Sequence, residues 1–191
     1  IGKRTAERIV ETLGENAVSI ILSDPSVLEK VPRLPKDKAE SLYEMLQEHQ
    51  GLEKIMVALH YYGFGPQLSM RIYQVYQDLT LEIIEKNPYR LVEDVEGIGF
   101  NRADELGFRL GIQGNHPDRI KAGCLYTLQT ISIQEGHCYV EEDLLIQRVK
   151  TLLEASQPTE IPEADTAHEL LKLQEEGLIV QEEERLYMPS I

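Results

Sequence analysis

The stretch Asp94-Val95-Glu96-Gly97-Ile98-Gly99-Phe100-Asn101-Arg102-Ala103 decides the fold. It reads as a Gly-x-Gly turn with an apolar middle residue. A helix follows, with Ala103, Leu106 and Leu110 on one face. Two glycines allow positive φ and the close approach of another backbone. The helix behind them begins with unpaired N–H groups at the positive end of its dipole. Together these features predict a small anion seat suited to a nucleic-acid phosphate. Ile98 is expected to point inward and tie the turn to the core. Alone, the same pattern also serves as a plain helix–helix connection.

Repetition shifts the reading. Ile1-Gly2-Lys3-Arg4-Thr5-Ala6, Leu34-Pro35-Lys36-Asp37-Lys38-Ala39 and Gly63-Phe64-Gly65-Pro66-Gln67-Leu68 share its character. The turn residues Ile1, Leu34, Phe64 and Ile98 are spaced by 33, 30 and 34, and alternate members by 63 and 64. Asp24-Pro25-Ser26-Val27-Leu28 precedes the second turn, and Asn87-Pro88-Tyr89-Arg90-Leu91 precedes the fourth, 63 residues later. The unit is a pair of helix–hairpin–helix turns, used twice. Residues 1–50 read as the first pair and 51–113 as the second. A glycine just upstream of Ile1 would complete the first turn, so the first pair is expected to be truncated and the chain a fragment.

The four turns differ as candidate DNA contacts. Gly97 and Gly99 are intact, with Arg102 on the next helix. Gly2 is followed by Lys3 and Arg4, the strongest local cations. Gly63 and Gly65 are present, but Pro66 lacks an N–H and Arg71 is the nearest cation. The second turn, Arg33-Leu34-Pro35, has lost both glycines. Lys36 and Lys38 could attract phosphate there, but a structural role in pairing with the first hairpin is expected.

Helices are expected over about 5–13, 15–22, 36–48, 52–62, 66–76, 81–85, 88–93 and from the fourth turn to 110. Asp24-Pro25 reads as an N-cap and first-turn proline opening a short helix. Tyr61, Tyr62, Tyr73 and Tyr76 read as packing residues; Arg90 and Arg109 read as surface or packing residues. Beyond Gly111, Asn115-His116-Pro117-Asp118 opens a helix to about 132. Cys138-Tyr139-Val140 is extended, 141–153 and 165–175 are helical, and Glu182-Glu183-Glu184 joins two short strands. That order predicts a winged-helix-like domain over 114–191. The fold class is mainly α: tandem helix–hairpin–helix repeats, then this domain with its small β-hairpin.

The net charge of −14 over 191 residues argues against a generic nucleic-acid-coating protein. Residues 1–121 hold 15 Lys+Arg against 19 Asp+Glu, and residues 122–191 hold 4 against 14. The acids of the 165–175 helix and the Gln181-Glu182-Glu183-Glu184 turn predict that the carboxyl-terminal domain does not read DNA. No apolar run suits a membrane helix, and no leader is expected. Cys124 and Cys138 fit a reducing compartment. His137-Cys138 reads as a turn entering a strand, and no metal site is expected. Gly2-Lys3 lacks the Ser/Thr of a phosphate loop, and no catalytic arrangement stands out. A binding module is expected, with no cofactor and no catalytic residue in this stretch.

Tandem turns, Asn87-Pro88-Tyr89-Arg90-Leu91, Gly97-Ile98-Gly99-Phe100 with Ala103-Asp104, Arg119-Ile120-Lys121-Ala122-Gly123 and Gly136-His137 together resemble the amino-terminal region of bacterial RecD/TraA-type helicases of the long RecD-like form. The resemblance implies a DNA-binding accessory region of a superfamily 1 motor unwinding DNA 5′→3′, acting in recombination and repair. It implies ATP and magnesium in downstream motor domains of the same chain, and a bacterial cytoplasmic setting. It carries over the hairpin turn residues as DNA contacts. The alternative, favoured by the charge, is a protein-interaction or scaffolding region whose hairpins are only structural.

Overall fold

The computed structural model describes residues 2–134, 136 and 139–189. Ile1, His137 and Cys138 lie outside the described residues. The chain divides into two compact units, Ile1–Tyr73 and Gln74–Ile191.

The first unit holds α1 (Lys3–Leu13), α2 (Ala17–Ser23), a 3-10 turn (Pro25–Lys30) and α3 (Lys36–Tyr61), and most of α4 (Pro66–Tyr76). Its core is Ile9, Ala17, Ile21, Leu28, Val31 and Leu42, with Leu34 and Ala39 packed against it. Asp24 caps the 3-10 turn as expected, accepting from the Ser26 N–H at 3.1 Å. Hydrogen bonds from Ser26, through hydroxyl and backbone, hold the Asp24 carboxyl below its usual pKa.

The separate helices expected over 36–48 and 52–62 are one helix of 26 residues. Gly51 does not end it. A mid-helix glycine costs only about 1 kcal/mol, and Gln47, Glu48, Leu52, Glu53 and Lys54 around it are good helix formers. Tyr61, expected to pack, is 76% exposed; its ring meets that of Tyr62 edge-on at 5.8 Å. Tyr76 is buried, and its hydroxyl donates to Asp94 at 2.9 Å.

The second unit continues with α5 (Thr80–Lys86), α6 (Arg90–Asp94), α7 (Phe100–Arg109), α8 (Pro117–Gln134), β1 (Val140–Glu141), α9 (Glu142–Ser156), α10 (Glu163–Glu175), β2 (Val180–Glu182) and β3 (Arg185–Tyr187). After α7 the order is the anticipated helix, short strand, helix, helix, hairpin. The strands form one antiparallel sheet in the order β1-β3-β2, with Val140 opposite Leu186 and Gln181 opposite Leu186 on the other side. One core joins Phe100 and Ala103 of α7 to Cys124, Leu128, Leu145, Leu153, Leu170 and Leu186. Burial pushes the Cys124 thiol up to about 12.

The repeat is written into the backbone. α1 and α4, and α2 and α5, have equal lengths at an offset of 63, and α3 and α7 start 64 apart. Asp24 has φ −148° and ψ 96°, and Asn87 has φ −149° and ψ 93°. The side chain of each accepts from the N–H two residues on, Ser26 and Tyr89, both at 3.1 Å. Positive φ recurs at the same offsets, with Gly14 at 88° matched by Gln77 at 53°, and Arg33 at 60° matched by Gly97 at 92°.

Candidate nucleic-acid interface

Of the two glycines in a turn only the first takes positive φ: Gly63 has φ 93° and Gly97 has φ 92°. The second caps the following helix in extended conformation, with φ −88° and ψ 172° at Gly99 and φ −72° and ψ 161° at Gly2. Any residue adopts that conformation, so conformational freedom does not explain glycine there, and neither does packing: among the described residues a Cβ built at Gly2, Gly65 or Gly99 would meet nothing within 4 Å. The turns leave an open approach to the backbone.

What that approach reaches is a helix start. The Ala6, Ala39, Ser69 and Ala103 N–H groups close the first α-helical bonds onto Gly2, Pro35, Gly65 and Gly99 carbonyls at 3.1, 3.0, 2.9 and 3.3 Å. Among the described residues no side chain caps α1, α3 or α7. The first-turn N–H groups therefore point outward with the positive end of the dipole, as an anion requires. The middle residues anchor the turns: Phe64 is 2% and Ile98 4% exposed, and Leu34 is half-buried. The corresponding Ile1 lies outside the described residues.

Gly2, Lys3, Arg4, Gly63 and Gly65 fall in the first unit, and Gly97, Gly99 and Arg102 in the second. All eight are exposed. Arg8, next along α1, turns back to the Thr5 hydroxyl at 3.1 Å.

The most specific stretch of the resemblance has a structural role that the sequence did not disclose. Arg119 and Asp104 are both 0% exposed and pair in two parallel bonds, Nε to Oδ1 and Nη2 to Oδ2, each 2.9 Å. Arg119 also donates to the Gly114 and Leu153 carbonyls at 2.9 and 2.7 Å. Asp104 accepts from the Tyr89 hydroxyl at 2.7 Å and the Ser156 hydroxyl at 2.6 Å. Burial, then the bond to Asp104, raises the Tyr89 phenol pKa. Tyr89 stacks on Phe100 at 5.6 Å, and Phe100 tilts against Tyr126 at 5.3 Å. The network fixes α7, and so the Gly97–Gly99 turn, to α8 and α9. The charged groups are fully paired, as buried charge requires. The hint in the sequence was an Asp104 set among the core positions Ala103, Leu106 and Gly107 of α7.

Beside this joint lies a groove of about 250 Å³ with Phe100 and Tyr126 in its wall and Lys86, Arg90 and Lys121 around it. Arg90 is paired with Asp94 at 3.3 Å and Lys121 with Glu176 at 2.7 Å.

The carboxyl-terminal domain shows the acids expected at its tip: Gln181, Glu182, Glu183 and Glu184 are all exposed. On α10, however, Glu169 is 5% exposed and meets Lys172 at 3.4 Å, so that helix presents less negative charge than its composition implies. Among the described residues no helix is long and apolar enough to cross a membrane, and no cluster of His, Cys, Asp and Glu is placed to hold a metal ion.

Residues 48–139 match the family described as the ATP-dependent RecD2 DNA helicase HHH domain. A protein of Deinococcus radiodurans, the ATP-dependent RecD2 DNA helicase, is 29% identical over 201 residues, covering 100% of this chain and 28% of its own length. The chain thus spans about 28% of that curated relative. The likeness read from the tandem turns and from the run between Asn87 and Gly123 is borne out: residues 48–139 carry the helix–hairpin–helix domain of the RecD2 type, in a chain similar throughout to the amino-terminal region of a RecD-like helicase.

Proposed function

We propose that the chain is a DNA-binding accessory region of an ATP-dependent 5′→3′ DNA helicase of the RecD/TraA type, holding the phosphate backbone without reading sequence. The observation that carries this is the open approach at Gly99 to an uncapped helix start, with Ile98 buried beneath it. Backbone N–H groups position a phosphate and carry no base information. Gly97, Gly99 and Arg102, Gly2, Lys3 and Arg4, and Gly63 and Gly65 are the proposed contacts. ATP and magnesium belong, in this reading, to motor domains of the same chain, which acts in recombination and repair in the bacterial cytoplasm. A second reading, a scaffold that docks protein, is favoured by the −14 charge and the exposed acids of Glu182 to Glu184.

Fluorescence anisotropy of labelled DNA across a salt series tests the proposal. Binding should weaken steeply with salt, by a log–log slope of about 0.9 per phosphate neutralised. Gly99→Val should weaken it for every sequence by about 1–2 kcal/mol while the protein stays folded. Absence of binding at low salt would leave the scaffold reading.

A further inference from the structure

We infer that the second turn, Arg33-Leu34-Pro35, is also a phosphate-binding turn, working through side-chain charge where the others use open backbone. This rests on the DNA-binding reading above. The RecD2-type match begins at residue 48, so it does not reach this turn.

Arg33 has φ 60°, at the position where Gly63 and Gly97 have 93° and 92°. A residue with a Cβ is disfavoured there. Packing does not compensate: Arg33 is exposed, and among the described residues it has no ion pair or hydrogen bond. The nine residues from Lys30 to Lys38 hold four cations, Lys30, Arg33, Lys36 and Lys38, against Asp37 alone, in a chain of net charge −14. All four are exposed and none is in a direct ion pair among the described residues, although the charge of Lys30 helps to lower the Asp24 pKa, after the Ser26 hydrogen bonds. Lys30 ends the 3-10 turn before Arg33, and Lys36 and Lys38 are the first and third residues of α3. The cations therefore flank the turn on both sides.

That arrangement opposes itself in the free protein. Lysines in the first turn of a helix face the positive end of its dipole, with Asp37 the one acid in that turn, and among the described residues no side chain caps α3. An anion placed at the turn relieves both repulsions. A row of phosphodiesters does so better than a single ion, because the cations are spread along the chain. Arg33 can grip one phosphate in the two-pronged geometry of its guanidinium. Lys36 and Lys38 then neutralise the neighbours.

Arg33→Gly separates this role from a structural one, because glycine suits the backbone and removes only the side chain. The measurement is DNA anisotropy on residues 1–191 with thermal melting of each variant. Arg33→Gly should melt at the wild-type temperature or higher and bind DNA about tenfold more weakly. Arg33→Gly with Lys36→Ala and Lys38→Ala should flatten the log–log salt slope by about two to three. Wild-type affinity and slope in both variants, while Gly99→Val weakens binding, would overturn this inference and leave the general reading standing. No binding by wild type at low salt would overturn both.

Discussion

The two copies of the hairpin pair share a backbone and differ in what covers it. At an offset of 63 or 64, Ser26, Lys36 and Glu40 of the first copy correspond to Tyr89, Phe100 and Asp104 of the second. The first three are exposed. The second three are buried, in the aromatic stack and the ion pair with Arg119. The same helix face is water-facing in one copy and roofed by α8 and α9 in the other. A repeat thus preserves turns, caps and apolar anchors, while the outward face is free to become charged surface or core.

The comparison is broken most severely at the ion pair. Arg119→Met leaves the Asp104 carboxylate buried and unpaired, and should cost about 3–5 kcal/mol in urea unfolding of the second unit. Glu40→Gln at the equivalent site should change stability by less than about 0.5 kcal/mol. Similar losses from both would mean that the network does not distinguish the copies.

Glycine gives the next contrast. A Cβ at Gly107 would lie 2.9 Å from the Tyr89 hydroxyl oxygen, which is pinned to Asp104 at 2.7 Å. Gly107→Ala should cost about 1–3 kcal/mol through forced repacking. Gly65→Ala meets open space and should lower the melting point far less.

Exchanging the first turn residue between copies sharpens the point. Gly97→Arg should destabilise by about 1 kcal/mol, and Arg33→Gly should stabilise by up to about that amount. Equal melting temperatures for the two variants would show that positive φ is not what selects glycine at Gly97.

The smallest effect is alkaline. The Tyr89 phenol is held above its ordinary 10.0, chiefly by burial. Its contribution is complete below about pH 10, where both states are protonated. It declines as pH rises, because the unfolded chain ionises first. Tyr89→Phe should cost about 1 kcal/mol at pH 7 and make stability fall less steeply above pH 10. An unchanged alkaline slope in pH-dependent unfolding would remove Tyr89 as its source.

The sequence by itself determined the repeat, the turns, the Asp24 cap and the element order of the carboxyl-terminal domain. These are local: they follow from residue spacing, proline and glycine, and short side chains bonding nearby backbone. It also carried the likeness to RecD-like helicases, through Asn87 to Gly123. It did not disclose what those residues do together, because Tyr89, Asp104, Arg119 and Ser156 meet only across α7, α8 and α9. Nor did it show that α3 runs through Gly51, since one glycine is a weak breaker against strong neighbours. Nor did it show which of a turn's two glycines takes positive φ: Gly97 does, while Gly99 is extended with open space around it. Only the tertiary structure decided these points, because burial and clearance depend on what the rest of the chain places beside a residue.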